Sequence, residues 1–380
     1  MKMTRLKLTA ALCSLTMLSG CGIFSADDPH APHELTDITP KVDAHVQWRV
    51  NVGDAASRTL VPAVYENAVY AAGGDEVVRL DAETGKVVWR VKTKAPVTAG
   101  VGTDGHYVAV GTAAGELEVF DAEGRFLWRA TLTSDIAVPP LVGMGLVVAR
   151  TSDTRITGFG ADKGEQRWYY LGQVPSLTVN TFNALAWSPA GILSGQANGR
   201  LLALSPEGKT VFDAVIGQPK GITEVERLID VVGRPWVDGE LMCAGAFQGN
   251  LVCMQSMNGR LAWSVKLDAM SGPVSDNLAV YITDARSRVH AFNRKNGREA
   301  WVNEELLYRN VSAPVRIGGV VAVGDLEGVV TMMDPTNGDI VGRTKLSGAI
   351  TSPATQLNYG AVFQTVEGDV AYVLQEPLTH

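Results

Sequence analysis

Short apolar runs, broken by polar turns that contain glycine, repeat along most of this chain. One unit reads Val69-Tyr70-Ala71-Ala72, then the turn Gly73-Gly74-Asp75-Glu76, then Val77-Val78-Arg79-Leu80-Asp81. Ala82-Glu83-Thr84-Gly85-Lys86 follows, and Val87-Val88-Trp89 closes the unit. Runs this short, rich in β-branched residues and bounded by turn residues, predict strands. The same succession returns down the chain, and its closing aromatic measures the period. Trp48 to Trp89 is 41 residues, Trp128 lies 39 further on and Trp168 another 40. Phe212, Trp263 and Trp301 follow at intervals of 44, 51 and 38. A period near forty with several short strands per repeat is the pattern of a propeller blade.

Each unit predicts four strands. Pro62, Pro96, Pro139, Pro235, Pro273, Pro314 and Pro353 recur ahead of, or at the start of, the first strand, where a missing ladder donor is tolerated. Gly74, Gly115, Gly199, Gly249 and Gly328 lie in the turn between second and third strands. The turn of the Thr84-Gly85 kind joins third to fourth, and Gly supplies positive φ there without steric cost. Asp81, Asp121, Asn293 and Asp334 stand ahead of these turns and can accept hydrogen bonds from turn amides. Counted by second strands there are eight units. The last ends near Leu374 without its aromatic strand, and Val46-Gln47-Trp48-Arg49-Val50 is a fourth strand without earlier partners. The expected fold is therefore all-β, an eight-bladed β-propeller of four-stranded antiparallel blades over residues 45–376. The N-terminal strand near Trp48 would close the ring and remove its free edge.

The region before the repeats differs. Lys2, Arg5 and Lys7 precede an apolar run from Leu8 to Leu18, too short for a stable membrane span and suited to a secretory signal. Leu18-Ser19-Gly20-Cys21 then has the small residues and the thiol of a lipoprotein cleavage site. The expectations are a signal at 1–20, lipid on Cys21 and a flexible, lipid-anchored tether over 21–44, where Pro29, Pro32 and Pro40 sit among polar residues. Gly22 in place of an Asp favours the outer membrane, on its periplasmic face.

Charge narrows the partners. The chain has 33 basic and 40 acidic residues, and removing Lys2, Arg5 and Lys7 leaves 30 against 40. No basic run follows the signal, so nucleic acid is not an expected partner. Nor does catalytic chemistry stand out. His106 and His290 are the histidines inside the repeats, and neither has ligands at metal-binding spacing. No G-x-S-x-G motif occurs. No metal, cofactor or catalytic residue is assigned. Cys243 and Cys253, flanking a turn with Gly245 and Gly249, could lie opposite each other on paired strands. A cross-strand disulfide and two buried thiols remain equal alternatives.

Asp81-Ala82-Glu83-Thr84-Gly85-Lys86-Val87-Val88-Trp89 resembles the repeat of pyrroloquinoline-quinone (PQQ) dehydrogenases, which use eight such blades. With the lipoprotein site, and with Thr223-Glu224-Val225-Glu226-Arg227-Leu228-Ile229-Asp230-Val231, the chain resembles the BamB family of outer-membrane assembly lipoproteins. That resemblance covers roughly residues 46–375. It implies a non-catalytic scaffold of the β-barrel assembly (BAM) complex that binds the periplasmic POTRA domains of BamA, beside other lipoproteins of the complex. It implies two contact segments. In the first, Leu177 and Val179 would be apolar anchors, with Asn180 where a basic residue is common. In the second, Glu224, Arg227 and Asp230 would be polar contacts. The second segment falls in the longest interval of the repeat. Val225, Leu228, Ile229 and Val232 at i, i+3, i+4 and i+7 predict a short amphipathic helix or helical loop there. Direct pairing with unfolded outer-membrane proteins at a blade edge is a further partner mode. The alternatives are a quinoprotein dehydrogenase-like enzyme, whose typical adjacent cysteines are absent, and a ligand-binding propeller using its central channel.

Overall fold

The structure is a computed structural model, and it describes residues 28–55, 58–136, 138–174, 177–179 and 181–378. The signal and Cys21 lie outside the described residues. The described residues 28–31 belong to a unit separate from the body, and in it the His30 N–H donates to the Asp28 carboxylate at 2.9 Å. The body runs from Pro32 onward.

Among the described residues the strands form eight four-stranded antiparallel sheets, seven of them sequence-local meanders and the eighth completed by the N-terminal strand. The first blade comprises Ala63–Tyr65, Ala68–Gly73, Glu76–Asp81 and Val87–Lys92. Its second strand is buried throughout, whereas the fourth alternates between exposed and half-buried. Such a gradient is expected when inner strands touch neighbouring blades on both faces and outer strands face water. The core is accordingly divided into wedges between consecutive blades. One wedge joins Leu117, Val119 and Trp128 of the second blade to Val147, Ala149 and Phe159 of the third.

Where a blade has a closing aromatic, that ring fastens it to the next blade. Indole N–H groups of Trp89, Trp128 and Trp263 donate to the carbonyls of Ala122, Ala161 and Arg294 at 2.8–2.9 Å, all in the following blade. The turn glycine of that following blade lies under the ring. A Cβ on Gly297, at φ +70°, would stand 2.5 Å from the Trp263 ring. Glycine is required there twice, for its backbone conformation and for the close approach. The acids ahead of these turns act as expected: the Asp81 carboxylate accepts from the Thr84 N–H at 2.8 Å. The turn before the third strand of the fifth blade differs from expectation. Gln248, at φ 51°, takes the left-handed conformation there instead of Gly249.

Ring closure follows the sequence expectation. Val42–Asn51 pairs antiparallel with Asp369–Pro377, placing Val46 opposite Val373 and Trp48 opposite Tyr372. The bulge just ahead of Trp48 matches the one ahead of the closing Trp in the other blades, so this strand is a true fourth strand. Trp48 then donates to Ala82 of the first blade at 2.9 Å. The seventh blade lacks a Trp because Gly342 leaves room there for Val42 and Ala44 of the closing strand.

The tether expected to extend to residue 44 ends earlier. The His33 N–H donates to the Leu307 carbonyl, and Arg309 donates to the His33 carbonyl. Leu35 and Ile38 pack against the wedge between the sixth and seventh blades. Apolar burial and paired backbone groups outweigh the prolines that suggested a mobile linker. Cys243 and Cys253 are Cα partners 4.1 Å apart, fully buried and joined as a disulfide.

A candidate partner-binding surface on two linked loops

The connection from the third to the fourth blade leaves Leu171 and returns at Leu185; the one from the fourth to the fifth leaves Val215 and returns at Val231. Both emerge at the same end of adjacent blades, and four ties hold them together. The Val179 N–H donates to the Asp230 carboxylate at 2.5 Å. The Asn183 side-chain amide donates to the Val231 carbonyl, and the Gly233 N–H donates to the Phe182 carbonyl. Asn183 and Gly233 also form a parallel bridge.

The second loop is not a helix. It makes one turn, closed by the Arg227 N–H donating to the Thr223 carbonyl at 3.1 Å. The reason lies in the side chains. Glu226 accepts from the Ile222 and Thr223 N–H groups, while the Glu226 N–H donates to the Thr223 hydroxyl. This reciprocal Thr-x-x-Glu cap finishes the first turn. Ile229 then turns into the core between the fourth and fifth blades, and Asp230 pairs as a bridge with Ala197. The apolar spacing that suggested a helix therefore does not mark one face. Val225 is 64% exposed, whereas Ile229 is 4% exposed and Val232 is fully buried.

The electrostatics separate supporting from exposed groups. Asp230 is only 7% exposed. Burial pushes its carboxyl above the ordinary value, against the opposing pull of the Val179 N–H and of the Arg150 charge. Arg150, also buried, has its pKa lowered to about 10 by desolvation, with Asp230 acting the other way. It remains charged at neutral pH and donates to the Gly195 carbonyl at 2.5 Å. The Thr223 and Ile222 N–H groups hold the Glu226 carboxyl below its ordinary range.

Leu177, Glu224, Arg227 and Asp230 come together around one shallow cavity of about 220 Å³, with Asn198 and Pro219. Val179 and Asp230 line the adjoining cavity of about 490 Å³, which contains Arg150. Asn180 lies outside the described residues. Leu177 is half exposed, and Val174 and Ile222 add apolar surface nearby in sequence, with Ile222 96% exposed. Asp230 is buried under the loops and ties them together; it is not an exposed contact. Three residues with roles in the site escaped sequence reading. The Thr223-x-x-Glu226 cap was readable as a motif, whereas nothing in the local sequence of Arg150 marks it. Cross-strand pairing also brings ligand atoms of Asp43, His45 and Glu376 within 4.8 Å of one another at exposed and half-buried positions, a grouping only the closing strand creates.

A loop pair of this kind offers apolar side chains rimmed by charge on a rigid frame, which suits protein recognition. The family model described as outer membrane protein assembly factor BamB matches residues 38–98 and 73–303. The outer membrane protein assembly factor BamB of Bordetella pertussis is 37% identical over 367 residues, covering 95% of each chain. The crystal structure of BamB from Moraxella catarrhalis superposes with a TM-score of 0.81 at 28% identity, over 87% of this chain and all of that one. The quinohemoprotein alcohol dehydrogenase of Comamonas testosteroni superposes with a TM-score of 0.67 at 13% identity, over 89% and 78%, a likeness of fold alone.

Proposed function

Because this chain belongs to the BamB family of outer-membrane protein assembly factors, we propose that it acts as a non-catalytic scaffold that binds the POTRA domains of BamA through the loops at 172–183 and 217–230. Lipid on Cys21 holds it to the periplasmic face of the outer membrane. The observation that carries this reading is the shared cavity: residues 47 positions apart, Leu177 and Glu224, meet there where Asp230 and the neighbouring ties fasten one loop to the other. Leu177, Val225 and Ile222 supply the apolar contact, and Arg227 and Glu224 orient it. Asn180 adds a polar contact beside Val179. Asp230 is a positioning residue that sets where Val179 stands.

Affinity purification from detergent-solubilised outer membranes tests the reading. Wild-type protein should recover BamA and companion lipoproteins. A Leu177→Asp plus Arg227→Glu variant should recover at least about tenfold less BamA while keeping its thermal midpoint, as expected where a few interface residues carry most of the affinity. Undiminished recovery would exclude these loops as the contact. Cys21→Ser should release the protein from the membrane fraction, and retention there would remove the lipid anchor.

A further inference from the structure

The geometry points to a binding site for a carboxylate borne on an apolar body in the central channel, with Arg234 as its anion-binding group. The first strands of the blades surround this channel. Val64, Trp187, Val237, Val274, Val315 and Thr355, from six blades, line two cavities of about 480 and 220 Å³ that share Arg234. The combined space is of the size that holds small ligands.

The repeat shows that Arg234 is an exception. Aligned by the register of the first hairpin, Arg234 in the fifth blade takes the place of Val61 in the first, Pro139 in the third, Ala313 in the seventh and Pro353 in the eighth. All of these are apolar and line the same cavities. Pro235 directly after it keeps the repeat's own proline. One blade thus places a charge where the scaffold otherwise supplies a smooth apolar wall.

That charge is uncompensated. The guanidinium is open to the lumen but ringed by protein. Among the described residues no carboxylate pairs with it, and no other charged residue lines either cavity. The surrounding channel walls partly desolvate it and lower its pKa, and no neighbouring charge opposes the shift. An arginine held this way offers two parallel donors to a carboxylate. Trp187, Trp236 and Pro273 form flat apolar walls nearby, suited to an aromatic or aliphatic body. Phosphate would satisfy the charge but leave these walls unused. The carboxylate could belong to a free small molecule or to the end of a polypeptide, and the probes below separate the two.

Calorimetric titration of the full protein with phenylacetate, phenylacetamide, inorganic phosphate and N-acetyl-Ala-Ala-Leu (free carboxylate) tests the site. Phenylacetate should bind at least tenfold tighter than its amide and than phosphate. R234Q should abolish that difference at an unchanged thermal midpoint, and R234K should restore part of it. Tighter binding of the peptide points to chain ends, and tighter binding of phenylacetate to small acids; either supports the site. Equal affinity for acid and amide, phosphate binding as tightly as phenylacetate, retention of the preference in R234Q, or no binding by any probe would overturn it. If R234Q lowers the thermal midpoint, loss of the acid–amide difference in R234K decides the matter against the site.

Discussion

At the scale of single residues, two carboxylates of one loop behave oppositely. Glu226 is held ionised by N–H groups that fold the turn around it, so its pKa is lowered. Asp230 is buried and its pKa is raised, although its charge is what receives the Val179 N–H. The signs follow from linkage. A lowered carboxylate stabilises the fold fully above its unfolded pKa of about 4, and that contribution is lost as pH falls through the folded value. A raised carboxylate opposes folding at neutral pH, and the opposition is relieved as it protonates. Asp81 and Asp334, lowered by the hydroxyls of Thr84 and Thr336, join Glu226. The thermal midpoint should therefore hold between pH 7 and 5 and fall below about pH 4. Asp230→Ala leaves the Val179 N–H unpaired and should cost about 1–3 kcal/mol, with faster hydrogen exchange at Val179. Asp230→Asn, which keeps an acceptor, should restore most of the protection; unchanged exchange at Val179 in Asp230→Ala would remove the tie between the loops. The sequence pointed to Asp230 as part of the site but not to its role, because burial depends on Ala197 and Arg150, distant along the chain.

At the scale of the blade, the junction of Trp with the next blade's glycine is the repeating unit of cohesion. Gly297→Ala meets both a left-handed backbone and the Trp263 ring, and should cost about 2–4 kcal/mol in urea denaturation. Trp263→Phe loses the bond to the Arg294 carbonyl and should cost about 1–2 kcal/mol. Phe212, the natural exception, packs on Gly259 at a comparable distance, with a Cβ there 2.9 Å from its ring. A Gly297→Ala variant as stable as wild type would mean that the ring can shift freely. The period and turn chemistry of this element were legible because each blade is built from contiguous sequence. The 217–230 loop, expected as a short helix or a helical loop, makes one turn and no helix because its apolar residues serve two environments, Ile229 the core and Val225 the surface.

At the scale of the molecule, the ring is held shut by Val42–Asn51. Its pairing with Asp369–Pro377 buries Trp48 and Val52 against the first blade. Deleting 42–51 should lower the thermal midpoint by more than about 10 °C and, by exposing the edge of Asp369–Pro377, cause concentration-dependent association. An unchanged midpoint and a monomer in sedimentation would show that the ring does not depend on this strand. Docking of residues 33–41 on the seventh blade adds to the same closure, since Arg343 donates to the Thr36 carbonyl and the Lys41 N–H to that of Val341.

The eight blades, the fourth-strand role of Trp48 and the turn acids were determined by sequence alone. They depend on local strand and turn preferences repeated at a fixed period, and on one strand left without a neighbour. Which charges end up exposed, buried or alone was decided by the tertiary structure. Asp230 beneath the loops, Arg150 behind it and Arg234 in the channel are ordinary polar residues along the chain. Their environments come from residues tens or hundreds of positions away, and desolvation, the term that distinguishes them, has no local signature.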